Sequence, residues 1–142
     1  MIGKYPAKLD DTNRLFVPAK LREELGDVFY VTLGTNGGHF CLSVFPAEAW
    51  QRLTENYNAM SLSQRAKGPN VIFNNAIECT PDKQFRFALS SSLIKHAGID
   101  REVMIVGCAG QAEIWDVAEY EAYEAENLSP EKLLAAMEAI GL

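Results

Sequence analysis

Two short segments of this chain each place an arginine four residues after an aspartate: Asp10-Asp11-Thr12-Asn13-Arg14 and Asp82-Lys83-Gln84-Phe85-Arg86. A guanidinium is planar and always charged, and its donors suit phosphate oxygens and guanine edges. Lys8, Lys20 and Arg22 lie near the first segment and Lys83 within the second, so each could add cations to an anion-binding face. A carboxylate facing phosphate is repelled, so Asp10 and Asp82, with Asn13, are expected to organise the turns and orient the arginines. The competing reading needs no ligand. In it Arg14 and Arg86 simply pair with Asp10 and Asp82, while Lys20 and Arg22 share a solvated helix face with Glu23 and Glu24.

Other chemistries find little support. There is no Gly-rich phosphate loop, no Gly-x-Ser-x-Gly elbow, no Cys-x-x-Cys and no His-Glu-x-x-His. Ser90-Ser91-Ser92 with His96 is the nearest nucleophile and base, but such a cluster reads as a helix cap. His39 and His96 have no partners at metal-ligand spacing. The expectation is a protein that is not an enzyme, with no metal and no cofactor. Cys41, Cys79 and Cys108 are odd in number, far apart and set among apolar or small residues, so they read as buried thiols in a reducing compartment. No apolar run approaches the roughly 18 residues that span a bilayer, and the first residues lack the apolar core of a signal peptide, which predicts a soluble, cytoplasmic protein.

Net charge is −6, which opposes contact with nucleic acid. The distribution softens the objection, because residues 1–70 carry +1 and residues 71–142 carry −7. Much of the acid lies in the closing helical segments, leaving room for a local basic face elsewhere.

The elements that must position these residues recur in tandem. With Asp10 placed over Asp82, Arg14 falls on Arg86, Leu21 on Leu93 and Gly26 on Gly98, all at an offset of 72. After small length changes Gly34 matches Gly107, Val44-Phe45 matches Ile114-Trp115, and Trp50 matches Tyr120. The division is a first repeat at 3–60, a linker at 61–70, a second repeat at 71–127 and an amphipathic C-terminal helix at 128–142.

Each repeat reads as strand, turn, return strand, short helix, hairpin and closing helix. The first has strands at Lys4–Leu9 and Arg14–Val17, a helix opened by Pro18 and ended by Gly26, and a hairpin of Val28–Leu33 and Phe40–Phe45 around a loop at Gly34–Gly38. A helix from Pro46 carries Trp50, Leu53 and Tyr57 on one stripe. The second has an extended run at Val71–Cys79, a return strand at Arg86–Leu89, a helix at Ser91–Ala97 that Ser90 or Ser91 can cap and Gly98 can end, and a hairpin of Val103–Val106 and Glu113–Trp115. Asp116 with Glu119 forms a capping box. Trp50, Trp115 and Tyr120 are expected in the core. In the last helix Leu133, Leu134, Met137 and Ile140 face one way and should dock on this chain or a neighbour. Each repeat is too short to close its own core comfortably, so the copies should share strands and interlock.

These residues resemble a known family. Lys8 through Pro18 and Asp82 through Arg86 look like the twin Asp-x-x-Gly-Arg motifs of the MraZ family of transcriptional regulators, and Glu113-Ile114-Trp115-Asp116 resembles its second-repeat signature. The resemblance implies an α+β, mainly β fold of the AbrB and MazE-like group (SpoVT-AbrB superfamily), with a double-split β-barrel or swapped hairpins and peripheral helices. It also implies a ring-shaped homo-oligomer, nucleoid-associated, that binds double-stranded promoter DNA of a cell-division and cell-wall gene cluster, including its own promoter region. The alternative is an antitoxin-like or scaffold protein-interaction subunit with little DNA binding. Two departures stand out. Where the family has glycine before each arginine, this chain has Asn13, which tolerates a left-handed backbone, and Phe85, which does not. The second turn is therefore expected either to be shaped differently or to give Phe85 a packing role. Ser90 stands where proline is expected.

Overall fold

The computed structural model describes residues 1–142. β1 (Lys4–Lys8) runs to a turn and returns as β2 (Arg14–Phe16). Pro18 then precedes a 3-10 turn, Ala19–Leu21, that passes into the short helix α1 (Arg22–Leu25), which ends at Gly26 with φ 73°. β3 (Phe29–Asn36) and β4 (His39–Pro46) form a hairpin in unbroken register from Phe29 opposite Pro46 to Asn36 opposite His39. The loop expected at Gly34–Gly38 shrinks to Gly37 and Gly38, at φ 58° and 82°. Positive φ at both central residues lets a two-residue turn match the strands' twist, so pairing persists through Asn36. Gly34 lies within the strand opposite Cys41, and glycine is needed there because a Cβ would lie 2.6 Å from Ser43 Oγ.

α2 (Ala47–Asn58) follows, then α3 (Leu62–Arg65), where Ser61 and Gln64 complete a reciprocal capping box. The extended run expected at Val71–Cys79 is helical in its first part. α4 (Pro69–Asn74) starts at Pro69, and β5 is only Ile77–Cys79. Val71 and Ile72 carry strand propensity, but tertiary packing overrides it. The Phe73 ring sits 4.3 Å from Tyr57 and 4.8 Å from Trp50, and the Ile72 carbonyl accepts a 2.6 Å hydrogen bond from the Thr32 hydroxyl.

β6 (Arg86–Ala88) leads to α5 (Ser91–Ala97), whose Leu93 N–H donates to Ser90 Oγ and whose end is Gly98 in the left-handed region. β7 (Glu102–Cys108) and β8 (Gln111–Asp116) form the second hairpin. In α6 (Val117–Glu126) the Asp116 carboxylate accepts from the Glu119 N–H. Only half of the expected box forms, because Glu119 turns its own carboxylate to His39. α7 (Pro130–Ala139) closes the chain. No helix is long and apolar enough to cross a membrane.

The strands form an antiparallel six-stranded sheet in the order β1-β7-β8-β4-β3-β5 and a separate ribbon of β2 with β6. The fold is α+β and mainly β, with peripheral helices. The sheet is open, with β1 and β5 at its edges, so the strands do not close a barrel. β1 pairs with the hairpin of the second half and β5 with that of the first, which is the strand sharing that the length of each half led one to expect. One apolar core unites both halves through Leu15, Phe29, Leu42, Leu93, Val103 and Ile114. Burying such side chains stabilises by about 1.5–3 kcal/mol each before entropy is counted.

Several expectations about burial need correction. Trp115 is fully buried with Cys41 and Val106, but Trp50 and Tyr120 remain partly exposed. Trp50 stacks on Tyr30, centroids 5.1 Å apart and planes 8° from parallel, as a cover on the outer face of β3. Cys41 and Cys79 are buried free thiols, whereas Cys108 is exposed at the β7–β8 turn. The apolar stripe of α7 does not dock on this chain: every residue from Ala125 to Leu142 is exposed.

Candidate nucleic-acid interface

The two Asp-to-Arg segments fold into turns bonded in the same way. In the first, the Asn13 N–H donates to the Asp10 carbonyl (3.0 Å) and the Asp10 N–H to the Arg14 carbonyl (3.0 Å). Asp10 Oδ1 accepts from the N–H groups of Thr12 and Arg14, both at 2.9 Å, and from Thr12 Oγ1, while Oδ2 accepts from Arg14 Nε at 2.8 Å. In the second, the Phe85 N–H donates to the Asp82 carbonyl, Asp82 Oδ1 accepts from the N–H groups of Gln84 and Arg86, and Oδ2 accepts from Arg86 Nε at 2.9 Å. Asn13 at φ 60° and Phe85 at φ 62° take the left-handed position. The second turn thus keeps the shape of the first in spite of Phe85. The packing role is present as well, for the Arg22 guanidinium lies 3.8 Å above the Phe85 ring.

The carboxylates carry the electrostatics. The backbone N–H of Arg14 is the chief cause that holds the Asp10 carboxyl down to about 2, helped by Thr12 and the Arg14 side chain. Asp82 is lowered for the same reason by Arg86 and Gln84. Both are therefore ionised and held by these bonds. Each holds its arginine through Nε alone. The terminal nitrogens make no hydrogen bond within the chain, so the outer N–H donors of both guanidinium groups are left unused.

The ribbon joins the turns. Arg14 pairs with Ala88, Leu15 with Phe87 and Phe16 with Arg86, and the carbonyls of Asn13 and Phe85 accept from Leu89 and Val17 across the strands, each at 2.8 Å. Side chains alternate, so Leu15 and Phe87 face the core, where the Phe87 ring meets Phe29 edge-on at 5.0 Å. Arg14, Phe16, Arg86 and Ala88 share the opposite face. Phe16 is 56% exposed and Phe85 45%, an unusual investment of aromatic surface in water around two arginines. A two-stranded ribbon is an element that a DNA major groove admits.

The other cations divide. Arg22 stacks on Phe85 of the second turn, and its Nε donates to the Val17 carbonyl just after β2 at 3.1 Å. Lys83 is exposed within that turn and Lys20 is exposed on the 3-10 turn. Lys8 is held at 3.7 Å by Glu102, an exposed pair worth little. The ion pairs Arg14–Asp10 and Arg86–Asp82 of the competing reading both exist, and their Nε geometry leaves room for an external anion. Sequence reasoning missed Phe16. Its signal was the alternation of β2 about a core-facing Leu15.

A second charged cluster was also missed. His39, at the start of β4, places Nδ1 2.9 Å from Glu119 and Nε2 3.0 Å from Glu126, both on α6. These carboxylates, Glu119 first, raise its pKa above the usual histidine range. The ring lies near Trp115 and Tyr123, so it fastens α6 to the hairpin tip.

The chain is similar to known proteins along nearly its whole length. The family described as "MraZ protein, putative antitoxin-like" matches residues 1–68 and 72–138. "Transcriptional regulator MraZ" of Clostridium tetani is 33% identical over 143 residues, covering 99% of each chain. The protein of the same description from Heliobacterium modesticaldum is 36% identical over 131 residues, 91% of this chain and 89% of its own. That from Kocuria rhizophila is 38% identical over 128 residues, 89% of this chain and 87% of its own. With both turns lying inside the matched segments, this chain belongs to the MraZ family.

Proposed function

We propose that this protein is a sequence-specific DNA-binding transcriptional regulator that acts through the β2–β6 ribbon, as a ring-shaped homo-oligomer on the nucleoid. Its target is the promoter region of its own gene, within a cell-division and cell-wall cluster. The carrying observation is the pair of arginines held side-on by ionised aspartates with their outer donors unused. Arg14 and Arg86 approach phosphates or guanine edges, Arg22, Lys20 and Lys83 add charge, and Lys8 contributes once released from Glu102. Asp10, Asp82 and Asn13 act only by holding the turns. The matching bonds of the two turns support reading the chain as a tandem AbrB-like repeat with exchanged strands, divided at 61–70 and followed by the helix at 128–142. The regulators named above support a role in transcription. Net charge of −6 on one chain is compatible with DNA binding when one face of an assembly repeats the ribbon, since tethered sites raise apparent affinity by about 10² to 10⁴.

The test is a mobility-shift titration of the DNA upstream of its own gene, at low and moderate salt, beside Arg14→Ala and Arg86→Ala. The expected result is a shift that weakens with salt and collapses in the variants. No shift, or one that both variants leave intact, would transfer the weight to an antitoxin-like or scaffold role, which the acidic second half and the family's description favour.

A further inference from the structure

Two apolar surfaces of this chain have no partner within it. The first is α7. Leu133, Leu134, Met137 and the cap residue Ile140 recur along one face, and all are exposed. Ten residues are fewer than the roughly 12–15 at which isolated helices become marginally stable in water, so this helix needs a surface to cover its stripe. The second is a groove of about 420 Å³ along β3. β5 pairs only with Phe29, Tyr30 and Val31, so the rest of β3 has β4 as its one strand partner. Leu33, Phe40, Phe45, Leu53 and Ile72 line the groove, with His96 at its rim. Phe40 is 62% exposed.

Two polar groups here are engaged within the chain. The Gly34 carbonyl meets His96 Nε2 at 3.0 Å, and the Thr32 hydroxyl donates to Ile72. Leu33, Phe40, Phe45, Leu53 and Ile72 give the groove an apolar lining that suits an apolar helix face. Charge agrees with this. Glu131 and Glu138 stand on the flank of α7 beside Leu134, seven residues apart, whereas the exposed cations Lys95 and Arg52 directly precede the lining residues His96 and Leu53 in the chain.

We infer that α7 of one copy lies in the β3 groove of a second copy. The two surfaces differ, so the contact is head-to-tail, and repetition closes into a ring or runs on as a filament. This inference rests on the homo-oligomer reading above and supplies its interface, with the β2–β6 ribbon left free.

The test uses the full chain, without DNA, in sedimentation velocity with circular dichroism as a check on folding. One sample carries Leu134→Glu with Met137→Glu, another Phe40→Glu, with Phe40→Ser in reserve should the charge prevent folding. Each variant is expected to weaken assembly by about 30-fold or more, as loss of a central interface side chain does. Mixed in equal amounts, the two should form a one-to-one dimer that grows no further, because the intact helix of one meets the intact groove of the other. Variants that assemble like the wild type, or a mixture that stays monomeric, would overturn the inference while leaving the oligomer itself standing. A wild-type chain that is monomeric throughout would sink the homo-oligomer reading as well; DNA binding is read separately by the mobility shift.

Discussion

Phe85 offers a test in which two effects of similar size oppose each other. A residue other than glycine in the left-handed region costs about 1–2 kcal/mol, and glycine returns about 0.5–1 kcal/mol of that through its more flexible unfolded chain. Ala109, at φ 62° in the exposed β7–β8 turn, is the control. Ala109→Gly should stabilise by about 0.5–1 kcal/mol, since the methyl group removed there is small and exposed. Phe85→Gly gains the same relief but loses the ring, which is 45% exposed and carries the Arg22 guanidinium at 3.8 Å. Roughly half of a Phe burial, about 1 kcal/mol, and a cation–π interaction of about 0.5–1 kcal/mol go with it. The balance is a destabilisation of about 0.5–1.5 kcal/mol, opposite in sign to the control. Urea unfolding at a fixed protein concentration reads both, as a midpoint shift at constant slope. Equal stabilisation by Phe85→Gly and Ala109→Gly would refute the idea that packing holds Phe85 in place, and the Arg22 stack would then be incidental.

Arg14→Ala and Arg86→Ala should each lower the slope of log affinity against log salt by about 0.9 for every phosphate that the arginine neutralises, measured by fluorescence anisotropy; an unchanged slope would mean that these arginines do not meet phosphate. His39 has a raised pKa, so its stabilising contribution is complete below the ordinary value of 6.5 and disappears as pH rises through the higher folded value. Amide exchange in α6 should therefore accelerate as pH climbs past that range, beyond the intrinsic rate, and His39→Gln should abolish the pH-dependent part. Asp10 behaves in the opposite sense. Its carboxyl, lowered from 3.8 to about 2, contributes stability above the ordinary value that is lost as pH falls toward about 2, so the Arg14 amide resonance should titrate there and Asp10→Asn should remove that step.

Local chemistry made the turns legible. An aspartate four residues before an arginine, with Asn13 tolerant of positive φ, specifies a hydrogen-bonded loop without reference to the rest of the chain. Gly98 likewise marked the end of α5, and of the two serines offered as its cap the structure uses Ser90. The role of Phe85 stayed open, because the residue that stabilises it, Arg22, lies on a different element. Pairing of β2 with β6 was hidden as well, since two three-residue strands carry no register signal of their own. The helix over Val71–Asn74 was misread because Phe73 takes its instructions from Trp50 and Tyr57. His39 showed no partner at metal-ligand spacing, and its two carboxylates come from a helix 80 and 87 residues away.

The pairing of β1 with β7 also constrains synthesis. Lys4 meets Val106 and Lys8 meets Glu102, so the first strand to leave the ribosome waits for about a hundred further residues before its neighbour exists. At roughly 5–20 residues per second that is on the order of 5–20 s during which a strand with an unpaired edge must be kept from other nascent chains. A message that stops short of β7 yields a product with that edge unsatisfied, open to proteolysis. The cell's supply of folded protein is thereby coupled to translation having passed most of the reading frame.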